Sequence, residues 1–311
     1  MPPRHSEEEQ ADFARALVSV AEQGLLSQPE IDSLSMLEGA DLQRLREAWA
    51  PLPAGARARL IVALRAAAEQ RLRLDFSAIN QLALDDADPQ VRLAGLQSAL
   101  EDRSPALLKK LLALVSSDPS VEVRFAAAED LARFTLLAEL DDLEPDMTAE
   151  LKNTLLSVVR DENQAARVRG SALAALGYFS DVDSAKQVAA GFGDPVLRLG
   201  AVRAMGRTAD PRWTDRLMPV LGSDDPQLRV EAARALGEIE DERGVTPLVE
   251  LLEDPEPDVQ LAVIQALGQI GGEDAREALL FLAEAAEDRI REAADKALEE
   301  IEAAEADPMD L

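Results

Sequence analysis

The chain has 311 residues and no cysteine, and its 60 acidic and 32 basic side chains give a formal net charge of −28. The lack of cysteine excludes a disulfide framework and a thiolate zinc site. The acidic balance argues against nucleic acid and anionic membranes as partners, because contact with phosphate requires a positive surface. Without a bilayer-spanning apolar stretch or a basic-then-apolar leader, the sequence favours a cytoplasmic protein.

The amino-terminal quarter has helical periodicity but no repeated motif. Residues 1–10 are polar and predict a disordered tail. Apolar residues at helical spacing predict four helices, over residues 11–23, 29–37, 41–49 and 54–72. The end units of a repeat array are atypical because they cover its open core. We therefore interpret residues 11–74 as a helical cap, with a separate recognition domain as the alternative.

From residue 75 onward the chain repeats one motif. The segment DPVLRLGAVRAMG at residues 194–206 returns 31 residues later as DPQLRVEAARALG, and four anchor positions keep this interval: Arg198, Arg229, Gln260 and Arg291. A fixed period of this size is the signature of stacked repeats, each with two apolar helices. The sequence predicts an all-α fold, a right-handed α-solenoid of helix pairs over residues 75–302, followed by an acidic tail at 303–311.

Each unit also contains signals for the start and the end of a helix. Asp88, Asp194 and Asp225 each precede a proline, so we expect their carboxylates to cap the second helix of a repeat. Three glycines close the same helices, where we expect them to adopt the left-handed turn that ends a helix: Gly206, Gly237 and Gly268. The many alanines predict close packing between neighbouring helices.

The period slips once, between the anchors Arg124 and Arg169, which are 45 residues apart. We place the extra residues at about 138–150, a stretch with six acidic and no basic side chains. Insertions in repeats form loops on one face, often the binding face, although acidic runs are more often only solvated. Calcium binding is a weaker alternative, because the loop lacks the ligand spacing and the central glycine.

The Asp-Pro start, the Val-Arg or Leu-Arg pair and the Ala-Leu-Gly end resemble HEAT repeats, most closely the short bacterial type first associated with phycobilin lyases. The resemblance covers roughly residues 75–300. In that family the anchor arginine bridges to a neighbouring repeat. The resemblance therefore implies a structural ladder rather than a binding row, formed by Arg92, Arg124, Arg169, Arg198, Arg229 and Arg291. Gln260 departs from the pattern and cannot supply the charge.

The sequence offers little for catalysis. The single histidine, His5, lies in the predicted tail and leaves no base for a serine nucleophile. Iron-dependent hydroxylases that resemble this chain in fold use several His-Glu pairs, and the sequence contains none. We therefore expect a protein that is not an enzyme, with no catalytic residue, no cofactor and no metal.

The remaining role is a protein-protein interaction scaffold or adaptor that uses the extended solenoid surface. The fifth position after each anchor varies and is expected to face away from the core, and aromatic and arginine side chains dominate interface energetics. These criteria select Arg203, Arg207, Arg234, Gln265, Trp213 and Tyr178. We expect a monomer whose partner is a protein, with a basic surface as one option, and ordinary solvated positions are the alternative reading of the row.

The second candidate function is that of a bilin-chromophore lyase or chaperone-like protein, which only the family resemblance implies. The propionates of a bilin would need arginines beside an apolar groove. Only the region of Arg203 and Arg234 could provide them.

Overall fold

A computed structural model describes residues 7–21, 26–71, 73–285 and 288–306, and every regular element in these ranges is helical, which confirms the predicted all-α fold of stacked helix pairs. The α-helices are α1 (Glu7–Ala21), α2 (Gln28–Ser33), α3 (Gly39–Trp49), α4 (Ala54–Gln70), α5 (Ser77–Leu84), α6 (Pro89–Ser98), α7 (Pro105–Ser117), α8 (Val121–Glu139), α9 (Pro145–Arg160), α10 (Ala166–Leu176), α11 (Val182–Gly193), α12 (Arg198–Arg207), α13 (Thr214–Leu217), α14 (Pro226–Ile239), α15 (Val245–Val249), α16 (Pro257–Ile270), α17 (Glu273–Ala285) and α18 (Asp288–Ala306).

Several terminal predictions concern residues outside these ranges. His5 and most of the predicted tail at 1–10 lie there, although α1 already begins at Glu7. Of the predicted acidic tail at 303–311, residues 303–306 belong to α18 and the rest lie outside the described residues. Among the helices of the described ranges, none has the length and apolar character that crossing a bilayer requires.

The chain divides into two compact units, Met1–Asp130 and Leu131–Leu311, with the division inside α8. The first unit has one core cluster that includes Phe13 of α1, Trp49 of α3 and Val91 of α6. The helices predicted as a cap therefore share their hydrophobic core with the first repeat.

The second unit is a series of helix pairs. The second helices of successive repeats pack on one another in chain order, from α10 through α12, α14 and α16 to α18. The first helices α9, α11, α13, α15 and α17 each pack against the second helix of their own pair. Two of the first helices, α13 and α15, have only four and five residues; 3-10 helices lie on both sides of α13, and one precedes α15.

The three glycines expected to end helices have another role. Gly206, Gly237 and Gly268 lie inside α12, α14 and α16 and face the next second helix. A Cβ atom on Gly206 would lie 2.7 Å from Cα of Ala235, and one on Gly237 would lie 2.9 Å from Cα of Ala266. The prediction of left-handed glycines is wrong at these positions because the space between the helices, rather than the backbone angle, requires glycine.

The left-handed residues come three positions later, at the ends of the same helices. They are Ala209, Glu240 and Gly271, with φ of 48°, 56° and 68°. At Ala209 the backbone N–H bonds to Gly206 O at 2.8 Å, which satisfies a terminal carbonyl of α12. Two of the three positions thus carry a side chain in a conformation that glycine tolerates far better.

We expect Ala209→Gly to raise the free energy of unfolding by about 0.5–1 kcal/mol, because relief of the left-handed strain outweighs the added flexibility of the unfolded chain. Gly271→Ala is the control in the opposite direction, since its φ of 68° and ψ of −154° lie in a region reserved for glycine. Urea unfolding of the two variants would measure both effects. A loss of stability in Ala209→Gly would contradict the expectation.

The repeats are joined by buried aspartates six positions before an anchor. Asp118 accepts two hydrogen bonds from Arg92 of the preceding repeat, at 2.7 and 2.8 Å, while its backbone carbonyl accepts one from Arg124 of its own repeat at 2.5 Å. Asp254 repeats this arrangement with Arg229, at 2.8 and 2.9 Å, and with Gln260, at 2.8 Å. The hydrogen bonds from Arg229 hold the pKa of Asp254 below its ordinary value.

Asp86 occupies the same position at the start of the array. Its carboxylate accepts hydrogen bonds from Trp49 Nε1 at 2.6 Å and from Arg57 at 2.9 Å, and its carbonyl accepts one from Arg92 at 2.8 Å. We call Asp86, Asp118 and Asp254 the junction aspartates. Each of the three joins a preceding segment, the cap or a repeat, to the repeat that follows.

Two further anchors, Arg198 and Arg169, bond only backbone carbonyl groups among the contacts described. Arg198 donates to Phe192 O at 3.1 Å, again six positions back, whereas Arg169 reaches Val159 O at 2.9 Å, ten positions back, because a longer turn precedes α10. Arg291 is exposed. Gln260 lacks the charge but keeps the hydrogen bond of the anchor position, since its amide also donates.

Two of the three predicted helix caps act at the start of a second helix. Asp88 accepts a hydrogen bond from Gln90 N at 2.8 Å, and Asp225 accepts one from Gln227 N at 2.9 Å. Asp194 accepts one from Val196 N at 2.9 Å, but α12 begins only at Arg198 with Leu197 at its N-cap. Asp194 therefore stabilises the turn before the helix.

The extra residues of the long interval lengthen two helices. The helices α8 and α9 have 19 and 16 residues, and only residues 140–144 connect them. Asp141 has a φ of 60°, and Asp142 N bonds to Leu137 O at 2.8 Å, which ends α8 in a tight turn. The stretch at 138–150 thus consists of the end of α8, a short turn and the first residues of α9, where Pro145 suits the first helical position.

Candidate interaction surface

A groove of about 550 Å³ lies on the exposed side of the second helices of the second unit. We call it the arginine groove. Its floor is apolar, with Val230 of α14 and Val259 and Ala262 of α16. Its polar lining comes from the second helices of four successive repeats and includes Arg203, Glu231, Arg234, Gln265, Asp258 and Arg289.

A buried carboxylate organises one end of the arginine groove. Glu231 Oε1 accepts hydrogen bonds from Arg203 at 2.8 Å and from Arg234 at 3.3 Å, and the Glu231 residue is only 9 % exposed. The side chain of Arg234 is 54 % exposed. One carboxylate thus holds two guanidinium groups against the floor of the groove, and Arg234 presents its donors to solvent.

Glu238 and Arg207 extend this cluster along the helices. Desolvation of the Glu238 carboxyl group raises its pKa above the ordinary value, Arg207 opposes the shift, and the charge of Glu231 adds to it. The guanidinium group of Arg207 lies 5.2 Å from the centre of the Tyr178 ring, within the range of a cation–π contact.

The structure brings together most of the predicted partner-binding residues. Arg203, Arg234 and Gln265 line the arginine groove, and Tyr178 stacks with Arg207 beside the cluster. Trp213 does not belong to this surface, because it is 5 % exposed and packs between Arg212 and Arg216. Ala174, at the same position of its repeat as Arg203, is fully buried, so the predicted row does not extend to α10.

Sequence reasoning missed the acidic members of the site. Glu231, two residues after the anchor Arg229, accepts hydrogen bonds from both Arg203 and Arg234. Asp258 lies at the opposite end of the groove, 4.0 Å from Arg289. The sequence signal for Glu231 was weak, since nothing in the repeat pattern distinguishes it from the other members of a set of 60 acidic residues. Within the described ranges, no group of three or more His, Cys, Asp or Glu side chains is arranged to hold a metal ion.

The fold and the groove define a helical-repeat protein with a polar cleft across successive repeats. The family described as HEAT repeats matches residues 182–256 and 214–299. HEAT repeats are thus detected over residues 182–299, which confirms the resemblance carried by the Asp-Pro and arginine pattern. The match is to HEAT repeats in general and does not distinguish the phycobilin-lyase type.

Similar solved structures cover a wide range of proteins, and no curated protein matches the sequence. YibA of Escherichia coli is 15 % identical over 97 % of this chain and 99 % of that chain, with a TM-score of 0.44. Human deoxyhypusine hydroxylase in complex with glycerol is 20 % identical over 73 % and 95 %, with a TM-score of 0.34. Importin beta is 15 % identical over 95 % and 49 %, with a TM-score of 0.44.

Proposed function

We propose that this protein is a non-enzymatic scaffold or adaptor that binds a segment of another protein in the arginine groove. The observation that carries the proposal is the Arg203–Glu231–Arg234 cluster, in which a buried carboxylate fixes two arginines on an apolar floor. Arginines held in this way lose little side-chain entropy on binding, so they suit a role as interface anchors.

The charges of the groove favour a partner segment that carries both signs. Arg203 and Arg234 lie at one end and share Glu231, and the side chain of Arg234 stays 54 % exposed there. Glu256 and Asp258 lie at the other end beside Arg289. An acidic group of the partner would meet the first end and a basic group the second, and this polarity would fix the direction of the bound segment.

The test is affinity capture from a lysate of the source cells with three tagged forms of the protein. We expect the double variant Arg234→Glu/Gln265→Ala to lose the captured partner by about tenfold or more, because it removes exposed contacts of the groove. Lys186→Glu is the matched control, since it reverses a charge on α11 where the side chain is 74 % exposed. Melting curves would establish that all three forms are folded.

The possible outcomes test the binding surface and the scaffold role separately. A partner that the wild type and Lys186→Glu retain, and the groove variant loses, supports the proposal. A partner retained by all three forms would place binding on another face. If the wild type captures no protein at all, the scaffold role itself fails.

The bilin alternative has a separate test. In the arginine groove, both candidate arginines already bond to Glu231, so the propionates of a bilin would compete with a buried carboxylate. Addition of a bilin to the purified protein, followed by absorption spectroscopy, decides it. An unchanged spectrum would eliminate the alternative.

A further inference from the structure

A second groove, of about 690 Å³, lies on the side of the first helices between α15 and α17. It exists because α15 ends at Val249, whereas α17 continues to Ala285. Phe281 of α17 is 71 % exposed, whereas Leu279 of the same helix is fully buried. The apolar lining of the groove comprises Val245, Val249, Leu252, Ala278, Phe281 and Leu282.

Every charged residue that lines this groove is acidic. Four exposed carboxylates line it, and no basic side chain does: they are Glu250, Glu253, Asp274 and Glu277. Arg276, the basic residue of α17, does not line the groove. It bonds instead to Glu302 and Glu305 of α18. We call this site the acidic groove. No basic side chain in its lining neutralises the negative charge of its carboxylates.

We propose that the acidic groove binds a basic amphipathic helix of another protein. The apolar floor, with Phe281 standing above it, would receive the apolar side of such a helix, and the carboxylates on the rim would pair with lysine or arginine on its flanks. Charge complementarity selects this occupant over an acidic or neutral one. The surface is separate from the arginine groove, which the second helices form.

The proposal can be tested with a synthetic probe. The probe is a fluorescently labelled helix of about 14 residues with leucine at helical spacing and lysine elsewhere. We expect the full-length protein to bind it, to bind more weakly as the salt concentration rises, and to reject the same peptide with glutamate in place of lysine. Fluorescence anisotropy measures all three.

Matched variants on α17 locate the binding site. We expect Phe281→Ala to weaken binding about tenfold or more, whereas Leu280→Ala, which removes an equally apolar neighbour that is 50 % exposed and outside the lining, should change it less than about twofold. Glu277→Lys should weaken binding several-fold, and Glu284→Lys, on the same helix outside the groove, should have a smaller effect.

Three results would overturn the proposal. They are a wild-type protein that does not bind the lysine peptide, equal binding by Phe281→Ala and Leu280→Ala, and binding of the glutamate peptide as well. Analytical ultracentrifugation adds a fourth: if the protein dimerises and Phe281→Ala makes it monomeric, a second copy covers the groove. None of these results depends on the arginine groove, so the two proposals can fail independently.

Discussion

Replacing Asp118 with alanine is expected to lower the free energy of unfolding by about 3–5 kcal/mol, because it leaves the guanidinium group of Arg92 buried without its charge partner. The side chains of Arg92 and Asp118 are only 7 % and 3 % exposed, and their two hydrogen bonds join successive repeats. The same change removes a hydrogen bond that Asp118 accepts from Ser120 N at 2.8 Å. Urea unfolding followed by circular dichroism would measure the loss.

Asp85→Ala is the control for this prediction. Asp85 pairs with Lys110 one residue before a junction aspartate, but its side chain is 68 % exposed, so we expect a loss of at most about 1 kcal/mol. The double replacement Arg92→Met/Asp118→Leu should recover part of the stability, since it removes both charges together but also loses the hydrogen bonds to Asp86 O and from Ser120 N. Equal losses for Asp118→Ala and Asp85→Ala would show that the buried pair is not the link between repeats.

A methyl group added at Gly200 is expected to destabilise the second unit by about 3 kcal/mol, because the backbones of α10 and α12 touch there. A Cβ atom at this position would lie 2.7 Å from Cα and from the carbonyl carbon of Gly170. Backbone atoms cannot move aside as a flexible side chain can, so the helices themselves must separate. The measurement is the change in the urea midpoint of Gly200→Ala.

Gly193→Ala provides the matched control. Gly193 is the last residue of α11, its added Cβ would have nothing within 4 Å, and its φ does not lie in the left-handed region. Alanine there should leave the stability unchanged or raise it by up to about 1 kcal/mol. If Gly200→Ala proves as mild as Gly193→Ala, close contact between the backbones does not set the spacing of the helices.

The repeat pattern was sufficient to predict the architecture. The apolar spacing over residues 54–72 corresponds to α4 (Ala54–Gln70), and the Asp-Pro pairs at Asp88 and Asp225 lie where α6 and α14 begin. These signals are local, because a helix start and an apolar stripe can be recognised from neighbouring residues alone.

The sequence could not decide between two structural roles that favour the same residue type at the same position. A glycine near the end of a helix satisfies either a left-handed turn or a close helix contact, and Gly237 proved to serve the second. An aromatic residue such as Trp213 is equally plausible in a core and at an interface, and it is buried. Both questions depend on distances between separate helices, which the order of residues does not contain.

The candidate surface was predictable only in part. The row five residues after each anchor identified Arg203 and Arg234, because side chains on one helix face recur with the period of the repeat. The row could not reveal Glu231, whose importance arises from being within reach of both arginines. Their assignment to partner binding stays a prediction.

The junction aspartates also imply that the contacts between successive repeats differ in strength. The sixth position before an anchor is Asp in three repeats, but it is Phe192 before Arg198 and Ser223 before Arg229. In a linear array, stability is a sum of the units and of the contacts between neighbours. Within the second unit, separation of α14 from α16 must break the well-buried pair of Arg229 and Asp254, whose side chains are 13 % and 8 % exposed. Separation of α12 from α14 breaks the pair of Arg203 and Glu231, in which the arginine side chain is 31 % exposed, so solvent weakens this link more. These two joints should therefore resist separation unequally under force or heat, and a partner bound across α12 and α14 would reinforce the joint whose ion pair is more exposed.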